Sequence, residues 1–347
     1  MKILGIESSC DETAASIVEK KGSSFEILSS VISSQVRVHA KYGGVIPEVA
    51  ARLHVGNILP IIDTTLKEAK TKMKDIDYIA VCSGPGLVSS LMIGVETAKT
   101  LAWAYNKKLI KVNHIEGHML SGEGTSGQKL KFPALALIVS GGHTQIILMK
   151  DYLKYKLIGT TLDDAVGEAF DKVAKILDLG YPGGPAISKI SEKVKNKNFD
   201  IKLPRPMLNK PTFDMSFSGL KTACLYAFRD LKEKYPESKW PRIKKELATE
   251  FQESAVDVLV TRTLKAAEQY NVKTVVLGGG VSANKKLRTN LAEAVEAKLD
   301  KVRVIVPEME FTGDNAAMIA IAGSYHVKTK DFIDPFKLKA NPNWELV

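Results

Sequence analysis

Two histidines four residues apart, in His114-Ile115-Glu116-Gly117-His118, are the part of this sequence best suited to chemistry. On a helix that spacing puts both imidazoles on one face, where they can share a divalent ion. Glu116 points away from them. The pattern is therefore not H-E-x-x-H, whose glutamate directly follows the first histidine as general base, and no peptidase is implied. Two imidazoles need a third donor. Asp314, in a Gly-Asp-Asn turn, is a candidate that would complete a two-histidine, one-carboxylate set with positions left for substrate oxygens. Iron(II) suits that set first and zinc(II) next. Asp314 is equally suited to N-cap the helix that follows it. Asp11, at the tip of a small polar turn, could hold a metal-bound water or accept a proton from an attacking amine, or could simply stabilise the turn. The Gly278-Gly279-Gly280 turn presents backbone N–H groups suited to a phosphate or an adenosine, and Lys285, Lys286 and Arg288 behind it oppose the helix macrodipole in a way an anion would offset. His143, beside two glycines, is given no catalytic role.

The elements that must position these residues read as follows. Residues 2–7 predict a strand, 8–11 a polar turn, and 13–18 a second strand with resumed alternation. The same grammar returns at Ala134, where ALALIVS meets Gly141, Gly142 and His143 and continues as TQIILM. Two such units, about 130 residues apart, predict a duplicated α/β fold with the turns facing each other across a cleft. Between them lie a buried strand, a Gly-Pro-Gly turn at 84–86, a helix with one small-residue face, and the strand KLIKVN that feeds directly into His114. Residues 121–131, rich in Gly, Ser and Lys, predict a surface loop and the lobe boundary, giving lobes 1–131 and 132–347. Asp314 then falls in the lobe opposite the histidines. A helix is predicted over 163–177, stopped by Tyr181-Pro182-Gly183-Gly184-Pro185, whose glycines let backbone approach a ligand. Residues 189–210 and 229–245, within a basic helical insertion at about 189–250, interleave Lys and Arg with Phe199, Tyr235 and Trp240, as an RNA-facing surface or a solvated insertion would. Two α/β crossover units follow, ending in a helix that opens near Asn315.

Composition bounds the alternatives. With 45% hydrophobic and 25% charged residues the chain can build a full core, which excludes disordered and fibrous classes. No run of about 18 apolar residues occurs, and Glu7 and Asp11 interrupt the first apolar stretch, so a cytoplasmic, non-membrane protein is expected. Cys10, Cys82 and Cys224 are odd in number and far apart, which fits a reducing compartment. A formal charge of +10 favours a polyanionic partner without specifying one.

IESSCDETAASIV, HAKYGGVIPEVAAR, GPGLVSSLMIGV, VNHIEGHM, VSGGHTQ, DDAVGEAFDKVAK, YPGGP, SFSGLKTA, GGGVSANKKLR and FTGDNAAMIA stand in this order along nearly the whole chain. The set resembles the bacterial TsaD family, tRNA N6-adenosine threonylcarbamoyltransferases related to the catalytic subunit of the KEOPS complex. The resemblance implies the actin/Hsp70/sugar-kinase (ASKHA) fold, two lobes of duplicated ribonuclease-H-like cores around a nucleotide cleft. It implies transfer of the threonylcarbamoyl group from threonylcarbamoyl-AMP to N6 of adenosine 37, beside the anticodon, in tRNAs reading codons that start with A. It further implies metal ligation by His114, His118 and Asp314, with Fe(2+) or Zn(2+), one ion per subunit. Substrate contacts would fall on Ile138, Val139, Ser140, Gly141, Gly142, Asp171, Gly184 and Asn284. Ser188 stands where many relatives carry an acid and is left out. Partners implied are tRNA, a TsaB-like protein and a TsaE-like ATPase, with homodimerisation left open. The alternative class is a small-molecule kinase on the same fold, against which the imidazole pair argues, because such kinases use Mg²⁺ with carboxylates and waters.

Overall fold

The computed structural model describes residues 1–346, which divide into two compact units. Among these residues lie two five-stranded sheets. The first unit begins with β1 (Lys2–Glu7), β2 (Glu12–Lys21) and β3 (Ser24–Ser34), followed by the single-turn α1 (Val36–His39) and α2 (Pro47–Glu68). It continues through β4 (Tyr78–Gly84), α3 (Val88–Ala104), β5 (Lys108–Asn113) and α4 (His114–Ser126). The sheet order is β3-β2-β1-β4-β5, with the first pairs antiparallel and the β1, β4, β5 pairs parallel. β1 is central and covered on both faces, which is why it reads as a nearly continuous apolar run. Side chains alternate across a strand, so Leu4 and Ile6 join the core beneath α2 and α3 while Gly5 faces the other way.

The second unit contains β6 (Ala134–Val139), β7 (Thr144–Asp151), β8 (Lys154–Thr160), α5 (Val166–Ile176), α6 (Gly183–Ser191), α7 (Ser218–Lys234) and α8 (Trp240–Gln269). It closes with β9 (Thr274–Gly278), α9 (Lys285–Lys298) and β10 (Arg303–Ile305). Its sheet, β10-β9-β6-β7-β8, repeats the topology of the first: three antiparallel strands in hairpin succession, then two parallel ones on the far side of the leading strand. The duplication read from the two hairpins thus extends through five strands.

Two expectations are corrected. The chain does not split at 131/132 into two continuous lobes, because residues 307–347 cluster with 1–129 and the second unit ends at Val306. The last helix, α10 (Ala316–Thr329), packs on the first sheet. Backbone closeness explains it: a Cβ on Gly5 would overlap the carbonyl of Ala316, and one on Gly323 would lie 2.7 Å from Ala80 Cβ, so small residues on both sides let helix and sheet approach. Nor is 121–131 a surface loop throughout. The helix α4 runs to Ser126 with Ser121, Gly122 and Glu123 buried, because Gly117 and Gly124 seat the side chains of Met318, Ile319 and Ile321 of α10. Glycine there signals close packing, which local composition does not distinguish from a loop.

Candidate active site

The helix α4 starts where β5 ends, and Asn113 makes the junction. Its side-chain oxygen accepts from Ile115 N at 2.9 Å as N-cap, and its amide donates to Trp344 O at 3.1 Å. One turn on, His114 and His118 stack edge to face with ring centroids 4.6 Å apart. Both are buried, and both turn Nε2 toward Asp314 Oδ1, at 3.5 Å from His114 and 3.1 Å from His118. Asp314 is not the cap of α10. That role belongs to Asn315, whose side chain accepts from Met318 N at 3.0 Å, and the division of labour leaves the Asp314 carboxylate facing the imidazoles. The three donors lie within 4.8 Å of one another and all belong to the first unit, so the ligand set does not span the two units as the sequence-based boundary implied. Glu116, on another face of α4, bonds His326 Nε2 at 2.8 Å, in keeping with its exclusion from the site.

The donor set fits a divalent ion. His118 Nδ1 is buried without a hydrogen-bond partner among the described residues, so packing and the contact to Asp314 alone hold this ring. Burial works against charge on His114, but Asp314 and Glu7 outweigh it and raise its pKa to about 9. In His118, burial prevails and the pKa is lowered. A cation between the rings would satisfy Asp314 without a proton on either facing nitrogen.

Around this centre the first hairpin contributes acids. Asp11 is buried at the turn, and its carboxylate engages the side chains of Cys10 and Glu12. Burial first, then Asp11 and Asp314, hold the Glu12 carboxyl well above the usual range, so a second acid stands beside Asp11 in this cluster. Glu12, Glu7 and Ser9 went unsingled in the sequence. The only signal was their place in the IESSCDET run, since nothing local shows which side chains of a tight turn face inward.

In the second unit the expected substrate residues lie at the end of β6 and in the loop after it, on α5, at the start of α6 and at the N-cap of α9. Ile138 and Val139 are buried in the strand, and their side chains are core. Ser140 Oγ accepts from Gly142 N at 3.3 Å and His143 N at 3.0 Å, shaping a loop in which Gly141 and Gly142 have open space where a Cβ would sit. Asp171 Oδ1 accepts from Gly183 N at 2.7 Å, which pins the start of α6 against α5 and presents Gly184 with open space before it. Gly279, at φ 88°, is held where a Cβ would overlap the Val139 carbonyl, so only glycine serves there. Asn284 caps α9 by accepting from Leu287 N at 3.0 Å, while its amide donates to Ser188 Oγ at 3.0 Å and Gln252 Oε1 at 2.9 Å. Arg288 turns back to donate to Ser282 O at 2.6 Å, bracing the glycine turn, and Lys285 pairs with Glu192 at 3.2 Å.

Three cations of the basic insertion are neutralised by acids of α8. Lys197 bonds Glu250 and Glu253, Arg205 bonds Glu250 and Asp257, and Arg242 bonds Glu246, while Lys232 lies over the Trp240 ring. For these side chains the structural role, tying 196–205 to α8, accounts for the charge.

A family model for TsaD, tRNA N6-adenosine threonylcarbamoyltransferase, matches residues 26–321. The chain belongs to the TsaD family. Proteins of that description from Thermosipho melanesiensis and Bacillus subtilis are 46% and 45% identical to it, each over its full length and over 100% and 96% of their own. One from Persephonella marina is 47% identical over 93% of this chain and 89% of that protein. Among solved structures, T. kodakarensis HypF superposes with a TM-score of 0.63 at 13% identity, over 95% of this chain and 47% of HypF, a likeness of fold alone. The fold is the expected ASKHA fold, and TsaD membership decides against the kinase alternative. Among the described residues no helix is long and apolar enough to cross a membrane.

Proposed function

We propose that this chain transfers the threonylcarbamoyl group of threonylcarbamoyl-AMP to N6 of adenosine 37 in tRNAs reading codons that start with A. The observation that carries the reading is the convergence of His114, His118 and Asp314 on one point, in a chain of the TsaD family. These three residues would hold Fe(2+), or Zn(2+) in its place, and such an ion would supply charge stabilisation to the mixed anhydride. In the second unit, the glycine-rich loop 140–142 offers unobstructed backbone N–H groups to the adenylate. Gly184 gives its nucleoside room, Asp171 accepts from ribose hydroxyls, and Asn284 offers a polar edge. The N6 amine attacks the carbamoyl carbon, the bond from that carbon to the phosphate oxygen breaks, and AMP leaves with the electron pair. Asp11 receives the amine proton, and the neighbouring Glu12 carboxyl can relay it.

The family further implies a TsaB-like and a TsaE-like partner and work in the cytoplasm, and the net charge of +10 suits a tRNA substrate. The test is reconstitution: purified chain, the two partner proteins, tRNA and threonylcarbamoyl-AMP, with nucleosides read by mass spectrometry. N6-threonylcarbamoyladenosine is expected. Its absence, under conditions where the Bacillus subtilis relative makes it, would end this reading.

A further inference from the structure

The reaction above gives no task to the buried acid that touches the metal centre. Glu7, the last residue of β1, is fully buried, and an ionised carboxylate in a protein interior must be met by donors. It is met from three elements. Oε1 accepts from Ser9 N at 2.6 Å, the Cys82 thiol of β4 hydrogen-bonds to the same carboxylate, and Oε2 lies 3.3 Å from His114 Nδ1. Ser9 Oγ approaches the same nitrogen at 3.2 Å. The opposite nitrogen of that ring, Nε2, is the one turned to Asp314.

We propose that Glu7 is the positioning residue of the metal centre: by accepting a hydrogen bond from Nδ1–H of His114 it orients the ring and leaves Nε2 as the ligating atom. The inference rests on the metal reading above. A neutral imidazole ligates through the nitrogen that carries no proton, so the tautomer decides which edge can bind. A hydroxyl such as Ser9 Oγ can donate or accept and selects neither tautomer, whereas a carboxylate only accepts. Charge agrees. A divalent ion held by two imidazoles and the Asp314 carboxylate keeps one uncompensated positive charge, and Glu7 supplies the balancing negative one on the far side of the ring. His118 has no such support, since its Nδ1 lacks a partner among the described residues. The two imidazoles are thus unequal: the first is held at both nitrogens, the second by packing and through Nε2 alone.

Glu7→Gln discriminates sharply. Ser9 N–H still requires an oxygen, so the glutamine carbonyl turns to it and the amide –NH2 faces Nδ1, which favours the Nε2–H tautomer that cannot ligate. Chelator-stripped protein is titrated with Co(II), followed by its visible absorption, in the wild type and in Glu7→Gln, Ser9→Ala and His118→Ala. The expected result is a 10- to 100-fold loss of Co(II) affinity in Glu7→Gln, as for other supporting acids of metal-bound histidines, and little change in Ser9→Ala. Wild-type affinity in Glu7→Gln alongside lost binding in His118→Ala overturns the assignment and leaves the metal reading intact. Failure of the wild type itself to bind Co(II) overturns both. Should Glu7→Gln not unfold cooperatively, ¹⁵N NMR of the imidazoles in Zn(II)-loaded wild type decides. A proton on Nδ1 of His114 is expected, and metal on Nδ1 with the proton on Nε2 refutes the proposal.

Discussion

With metal stripped, the His114 ring sits between two carboxylates, and the stability of the first unit is predicted to fall as pH rises. Burial opposes the ring's charge, but Asp314 and Glu7 raise its pKa from 6.5 to about 9. The folded state then binds the proton more tightly than the unfolded one, so the stabilisation is complete below pH 6.5 and is lost as pH climbs through about 9. At ~1.4 kcal/mol per pH unit, the interval corresponds to on the order of 3 kcal/mol, a sizeable share of a typical domain's stability. Lys20, lowered to about 8 chiefly by burial, has the opposite sign, since its folded form is relieved as pH rises from 8 toward 10.5. Asp314→Asn separates the two, because it removes one of the acids that raise His114 and leaves Lys20 untouched. The assay is urea unfolding in chelator at pH 6 to 10, with hydrogen exchange of α4 to assign the loss to this unit. The wild type is expected to lose more stability than Asp314→Asn across that range. Equal slopes in the two proteins, or wild-type stability that rises between pH 6.5 and 9, would refute the electrostatic account. With Zn(II) the dependence reverses, since the ion must displace the proton on Nε2, and affinity is expected to rise about tenfold per pH unit below pH 9.

Three further outcomes are expected. Asn113→Ala removes the cap of α4 and leaves the Trp344 carbonyl unpaired, costing about 2 kcal/mol in chemical denaturation and weakening Co(II) binding in parallel. Gly279→Ala forces a Cβ into the Val139 carbonyl at φ 88°, so calorimetry with a non-hydrolysable threonylcarbamoyl-adenylate analogue should show lost affinity while Co(II) binding to the first unit persists. Arg205→Ala strips a cation from buried Glu250 and is expected to destabilise the second unit by on the order of 2 kcal/mol, yet to leave the salt dependence of tRNA binding unchanged, because this arginine already serves an internal acid.

What the sequence alone determined was local. The strands of both hairpins and the glycine turns follow from alternation and from residues that only one backbone conformation admits, and they lie where they were predicted, while the helix carrying the paired histidines runs to Ser126, into the stretch read as a loop. The imidazoles share a face because four residues make roughly one helical turn. Tertiary structure decided everything that depends on which surface a helix covers. Residues 307–347 return to the first unit because Gly5 and Ala80 leave room for α10, and no periodicity within α10 names its partner sheet. That return, together with Asn315 rather than Asp314 taking the cap, brings the carboxylate to the histidines. Glu7 and Glu12 gained their environments the same way. An acid's proton affinity and its task depend on burial and on neighbours distant in the chain, which strand pattern cannot encode and packing supplies.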